Sequence, residues 1–326
     1  MLAYALRRIL VSVPILIIAT FVIFVMVSLS GDPLSELKTR NPPPPPRTLQ
    51  LEAHRLYLDQ PLLMRYWHWL TGVIHGDFGP SVQSNQVIAT ELAHRFLVTF
   101  RLVGVAMLVA LLLAVLVGVI SAVKQYSVAD YTSTFIGFLF LAMPPFWFAI
   151  LLKEAGISFN NAVGHQVVFT IGDSSVYVDG GRWASITDIL GHLILPTISL
   201  ALLSFAAWSR FQRAAMLEVL DSDYVRLARA KRLPRATVLI RHALRTALIP
   251  LVTVTALDLA AILSGAIITE NVYQWHGAGT YLLESIQHDD AYAVAGWLLI
   301  AASFMIVLNL LADLLYAALD PRIRYA

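Results

Sequence analysis

The chain has 326 residues, of which 58% are hydrophobic and only 13% charged, with a formal net charge of +2 and no cysteine. Soluble domains carry about 25% charge, so this composition is that of an integral membrane protein. The missing cysteines exclude a disulfide framework, a cysteine-ligated metal and thiol catalysis, and the absence of a continuous basic arm interleaved with aromatics excludes a nucleic-acid partner.

A hydrocarbon core of about 30 Å takes about 20 residues of helix, and charge-free runs of that length can be read directly. The first, Ile9 to Gly31, follows Arg7 and Arg8. Its apolar run is too long for a signal-peptide core and lacks a small-residue cleavage site, so residues 1–30 are expected to be a tail and an uncleaved first span. Residues 31–97 form an expected outer segment. It opens with the proline run Pro42 to Pro46, a stiff extended spacer. Further on, Leu63, Trp67, Leu70 and Ile74 recur at helical spacing, as in an amphipathic helix at the membrane surface or one packed on the bundle.

The core is expected over 98–316, with spans near 102–123, 131–152, 189–209, 247–268 and 291–312, six helices in all. Ala106, Ala110, Ala114, Gly118 and Ala122 place a small residue every four positions, which lets another helix approach closely. One span is interrupted, at Asp258. A charge there is costly in lipid, so Asp258 is expected to face the bundle or a wet cavity, either as a structural polar contact, for instance a neutral acid hydrogen-bonded to a partner subunit, or as a candidate lining residue of a translocation path.

Between 210 and 246 lie nine Lys or Arg against three acids, whereas 269–294 has four acids and no Lys or Arg. The positive-inside rule then puts Arg7, Arg8, the basic loop and the 317–326 tail in the cytoplasm, with 31–97, 153–190 and 269–294 outside. The loop reads as two short helices separated near Leu233-Pro234, the second with Ile240, Leu244 and Leu248 on one stripe and Arg241 and Arg245 on the next. Topology explains the sign of this charge but not an ordered, Ala-rich insertion, which fits docking to an acidic partner. No Gly-x-x-x-x-Gly-Lys-Ser/Thr loop occurs in the chain, so ATP hydrolysis would need other subunits. A zinc-binding His-Glu-x-x-His is likewise missing, and neither a catalytic site nor a bound metal or cofactor is expected.

Several motifs together resemble the peptide- and nickel-type ABC importer permeases, and the oligopeptide permease B proteins in particular. They are Tyr4 with Arg7 and Arg8; Leu29, Gly31, Asp32 and Pro33; Asp59-Gln60-Pro61; Tyr66-Trp67; Gly76-Asp77-Phe78-Gly79 with Ser81; and the ending Leu319 to Tyr325. The most specific is the coupling, or EAA, loop: Asp223, Tyr224, Val225, Arg226, Ala228, Arg229, Ala230, Lys231 and Leu233, then Arg241, His242, Ala243, Leu244, Arg245, Ala247, Leu248 and Pro250. Arg232 stands where that family usually has glycine, so a turn that glycine makes freely must be made by a residue that prefers negative φ, with Pro234 available to end the helix instead.

The resemblance implies an all-α fold with the six transmembrane helices of type I importer permeases and a non-catalytic subunit that imports oligopeptides. Dipeptides, glutathione or nickel chelates are the alternatives on the same scaffold, and a self-sufficient secondary transporter is a rival class. It also implies partners: a homologous second permease in a heterodimer, two ABC ATPase subunits that bind ATP and magnesium, a solute-binding protein, and membrane lipid. The implied coupling residues are Asp223, Tyr224, Arg226, Ala228, Arg229, Ala230, Lys231, Arg232, Leu233, Arg241, His242 and Arg245.

Overall fold

A computed structural model describes residues 2–83 and 87–319, and among them regular structure is helical, with one isolated bridge between Pro80 and Val87. The ending from Asp320 to Tyr325 lies outside the described residues. Among those described, five helices are long and apolar enough to cross a membrane, six if one bent pair counts as a single span. The chain divides into two compact units, residues 1–99 with 276–307 and residues 100–275 with 308–326.

The first unit holds α1 (Leu2–Ser30), two short helices α2 (Ser35–Lys38) and α3 (Pro46–Arg55), α4 (Leu62–Ile74), the start of α5 (Ile88–Val123), α12 (Ala278–Gln287) and most of α13 (Ala291–Leu319). Pro46 occupies the first turn of α3, where an absent N–H costs no hydrogen bond. The face of α4 that packs against protein is not the expected apolar stripe. Arg65, Tyr66 and Trp69 are buried, whereas Leu63, Trp67 and Ile74 are exposed. Tyr66 donates to the Ile17 carbonyl at 2.8 Å and shares a 2.9 Å hydrogen bond with Thr20. The Arg65 guanidinium lies over the Phe24 and Tyr292 rings at 5.7 and 5.8 Å. The Tyr66 hydroxyl finds its partners on α1 and the Arg65 guanidinium finds aromatic faces, whereas Leu and Ile need no polar partner.

Asp290 fastens the connection into α13. It accepts from the Ser81 hydroxyl at 2.7 Å, from Val82 N–H at 2.8 Å and from Ala293 N–H at 3.0 Å. Burial pushes its carboxyl above the ordinary aspartate value, and these donors pull in the opposite direction. Nearby, Ala278 N–H donates to the Thr99 hydroxyl at 2.7 Å and Trp297 Nε1 to the Ala278 carbonyl at 2.7 Å.

In the second unit, the five small residues from Ala106 to Ala122 are all buried, while Leu108, Leu112, Leu116 and Ile120 on the same helix are exposed. The close approach is explicit at Gly118, where a Cβ would fall 2.8 Å from the Cβ of Gln212. The span expected over 131–152 is instead two helices, α6 (Val128–Ala142) and α7 (Pro145–Val163), bent by 105°. Pro144-Pro145 causes the break: Pro145 has no N–H to give and disfavours helical backbone at its predecessor. At about 22 Å, α6 alone is shorter than a hydrocarbon core. The span expected at 189–209 is the middle of α8 (Gly181–Leu220), a 40-residue helix that continues well past both ends. Tyr273 at the end of α11 (Arg245–Tyr273) joins three helices, donating to the Ala149 carbonyl at 3.1 Å and pairing with the Ser199 hydroxyl at 2.9 Å.

Candidate functional site

The basic loop folds as α9 (Asp223–Ala230), a break at Lys231 to Pro234, α10 (Arg235–Thr237) and a π-helical stretch over Val238–Leu244 that runs directly into α11. The second short helix expected from the sequence is therefore the N-terminal extension of a long one, not a separate element. Asp223 sits in the first turn of α9 and Arg229 in its last, the placement that favours the helix dipole at both ends. The helix stops because Arg232 adopts φ +56. This left-handed conformation costs a non-glycine residue about 1–2 kcal/mol, so the turn geometry survives the loss of the usual glycine. Pro234 does not end α9; it caps the start of α10.

One face of α9 is held and the other is free. Val225 and Ala228 are buried in a cluster with Ala122 of α5, Ala215 and Met216 of α8, and Val238, Ala243 and Ala247. Tyr224, Arg226, Leu227, Arg229, Ala230, Lys231, Arg232 and Leu233 are exposed. Exposed Arg226 lies 3.7 Å from Asp223, a separation and exposure that contribute little. Among the described residues, Arg229, Lys231, Arg232, Arg235, Arg241 and Arg245 have no carboxylate partner. Charges without internal partners beside exposed Tyr224, Leu227 and Leu233 make a surface with both steering charge and apolar contact area. A groove of about 650 Å³ runs beside it, with Val123, Leu220, Leu233 and Leu239 in its lining and Arg229 and Arg235 contributing positive charge.

The stripe Ile240, Leu244, Leu248 is not the buried one. Ile240 is exposed, and the fully buried positions are Ala243, Ala247 and Leu251, with Val238 nearly so. The step from Val238 to Ala243 is five residues, the spacing a π-turn places on one face. Arg241 and Arg245 are exposed and His242 is half-buried.

Sequence reasoning missed the polar network beneath this cluster. Arg213 donates to Asp130 through Nε at 2.7 Å and through its terminal nitrogen at 2.8 Å, in the bidentate geometry that makes such pairs strong. Its Nε also reaches the Ser121 hydroxyl at 3.1 Å, Ser121 donates to Asp130, and Tyr126 N–H donates to Asp130 at 3.0 Å. Ser121 precedes Ala122 of the α9 cluster, so the ends of α5, α6 and α8 are tied together next to the loop. The available signal was Asp130, a lone acid three residues after the capping Ser127. Asp258 also finds its partner inside the chain: Trp208 Nε1, fully buried, donates to Asp258 Oδ2 at 2.7 Å.

This architecture is a multi-pass helical membrane protein with a basic loop packed by small residues. Residues 114–325 match the family described as "Binding-protein-dependent transport system inner membrane component", and residues 1–103 match its N-terminal counterpart. The chain belongs to that family, and its fold is that of type I ABC importer permeases. It is 39% identical over 99% of both chains to an oligopeptide transport system permease protein, OppB, of Mycobacterium tuberculosis. It is also 36% identical, over all of this chain and 99% of the relative, to a dipeptide transport system permease protein, DppB, of Escherichia coli. Among solved structures, a chain of the inward-facing MetNI methionine ABC transporter aligns with a TM-score of 0.51 at 16% identity, over 70% of this chain and 96% of that one. A second chain, from an amino acid ABC transporter, also scores 0.51, at 12% identity over 78% and 98%.

Proposed function

We propose that this chain is the permease subunit through which an ABC importer brings oligopeptides across the cytoplasmic membrane, with α9 as its coupling helix. The carrying observation is the division of α9 into a face held by Val225 and Ala228 and a face of exposed apolar and basic side chains. In this reading two ATPase subunits, which bind ATP and magnesium, take the exposed face. Their closure moves α9, and the packed cluster together with the Asp130–Arg213 tie passes that motion to α5, α6 and α8. A homologous permease completes the pathway, and a solute-binding protein delivers the cargo. The oligopeptide assignment draws on the full-length similarity to permeases named for oligopeptides, with dipeptides the nearest alternative.

The proposed orientation, with both termini cytoplasmic, rests on the distribution of charge, and contacts within the second unit agree with the pairing of segments it implies. Lys153 Nζ donates to the Val272 carbonyl at 2.7 Å and Gly172 N–H to the Tyr273 carbonyl at 2.9 Å, which joins two segments assigned to the outside by charge. Ala122 and Val225 likewise meet on the other side. Asp258, already bonded to Trp208, is read as a structural polar contact within the chain rather than a contact to the partner subunit.

Ala230 gives the clean test, because it is exposed whereas Ala228 is buried and a bulky residue there would disrupt packing. In the assembled transporter, Ala230→Glu is expected to insert normally and to lose substrate-stimulated ATP hydrolysis and uptake by at least tenfold. Normal coupling in that variant would overturn the assignment. Orientation is checked by single cysteines and an impermeant thiol reagent, which should label Ser174→Cys and Gln287→Cys from outside but not Ser127→Cys or Ala236→Cys.

A further inference from the structure

α4 presents three different surfaces, and only two of them are accounted for by the protein. At 100° per residue, Arg65, Tyr66 and Trp69 fall on one side and are buried against α1 and α13. His68, Thr71 and His75 fall on a second side and line a cavity of about 390 Å³ that also borders Tyr57 and Asp77. The third side carries Leu63, Trp67 and Ile74, which are 67%, 60% and 79% exposed. A soluble surface does not normally gather Leu, Trp and Ile on one stripe and leave them open.

The depth of α4 is fixed by its hydrogen bonds to α1. Tyr66 is tied to Ile17 and Thr20, and its ring meets Phe21 and Phe24 at 5.1 and 5.6 Å. Thr20 lies ten residues before Ser30, the end of α1, or about 15 Å along the axis. Phe24 in turn meets Tyr292, in the first turn of α13, at 5.3 Å. The helix therefore lies beside the membrane-crossing part of α1 and level with the end of a second span. On α1, Ile17, Ile18 and Val22 are themselves exposed, so the open stripe of α4 continues an apolar surface that already belongs to the bilayer.

We infer that α4 lies along the lipid-facing side of α1, with Leu63, Trp67 and Ile74 set among the acyl chains of the leaflet on the side of residues 31–97, leaving the His68–His75 side in water. The occupant is the hydrocarbon of that leaflet, because the tie to Thr20, about 15 Å along the axis from the end of α1, sets Tyr66 below the polar boundary. The segment 31–97 then lies on the membrane as well as on protein, and α4 braces α1 against α13 from the lipid side. Naming that leaflet the outer one rests on the proposed orientation; the contact with lipid does not.

The chain contains no cysteine, so single nitroxide-labelled cysteines can be read without background. Labels at Leu63, Trp67, Ile74, His68 and His75 are introduced one at a time in the assembled transporter, in vesicles of phosphatidylethanolamine and phosphatidylglycerol. Collisions with oxygen, which partitions into lipid, are compared with those of a water-soluble nickel chelate. Oxygen should dominate at least threefold at 63, 67 and 74, and the nickel chelate should dominate at 68 and 75. Dominance of the nickel chelate at 63 and 74 would overturn the proposal by placing the stripe in water. Exclusion of both reagents there would overturn it by showing a protein cover. Leu63→Cys and Ile74→Cys suffice if Trp67→Cys does not assemble.

Discussion

The surroundings of Asp290 and the loop around α9 use charge in opposite ways. At Asp290 a carboxylate is sunk into the protein and surrounded by donors from Ser81, Val82 and Ala293. Around α9 the buried side chains include Val225, Ala228, Ala243 and Ala247, and Arg229, Arg232, Arg235, Arg241 and Arg245 are exposed with no carboxylate partner among the described residues. The first region spends its polar groups on its own shape; the second takes its shape from small apolar residues and leaves its charges for something else. Charge in the sequence thus has two meanings, and burial tells them apart.

Mutations should separate the two regions. The largest effect is expected from Asp290→Ala, which strands three buried donors at about 1–2 kcal/mol each; a loss of about 4 kcal/mol in reversible unfolding in detergent would show it, whereas a loss under 1 kcal/mol would show that the clasp matters little. Next comes Ala243→Leu, which overfills the fully buried centre of the π-stretch and should cost about 2 kcal/mol, measured in the same way. Gln212→Met should act in the opposite direction. The Gln212 amide is fully buried against Gly118 with neither atom hydrogen-bonded, so a thioether of similar volume is expected to stabilise by about 1 kcal/mol. The smallest effect on stability belongs to the exposed loop: Arg229→Ala should change it by less than about 0.5 kcal/mol while lowering coupled uptake several-fold. Equal losses of stability from Arg229→Ala and Asp290→Ala would erase the contrast.

Much of the fold is legible in the sequence because a bilayer imposes a length and an absence of charge that can be counted. Those counts locate α1, α5, α8, α11 and α13, and Ala106 to Ala122 announces a close helix contact. They do not reveal where a span breaks. The Pro144-Pro145 pair carried that signal, but the surrounding run has no charge, so it reads as one helix. Extensions beyond the bilayer, such as both ends of α8, escape a method that looks for hydrocarbon length alone. The loop was recognisable from its motif, yet its buried stripe was not, since counting in threes and fours cannot register a five-residue step. For pairs distant in sequence, Asp130 with Arg213 and Trp208 with Asp258, the acid stands out locally but nothing in the sequence names its partner. The sequence left the α4 stripe open between the membrane surface and the bundle; Leu63, Trp67 and Ile74 are exposed, so its packing on the bundle is through another face.

The π-stretch from Val238 to Leu244 has a consequence for how the loop is aimed. A π-turn stores one residue more than an α-turn, so removing a single residue between 239 and 242 would let the helix run on as ordinary α from α10 into α11. The seven residues of the π-stretch turn through about the angle that one residue fewer turns through in an α-helix, so α9 and the break at Arg232 would keep nearly their present bearing about the axis of α11. Removing a residue from the α-helical part just beyond Leu244 would instead swing α9 by about 100°. The stretch thus works as a slack turn that houses an extra residue without altering the direction in which α9 is aimed.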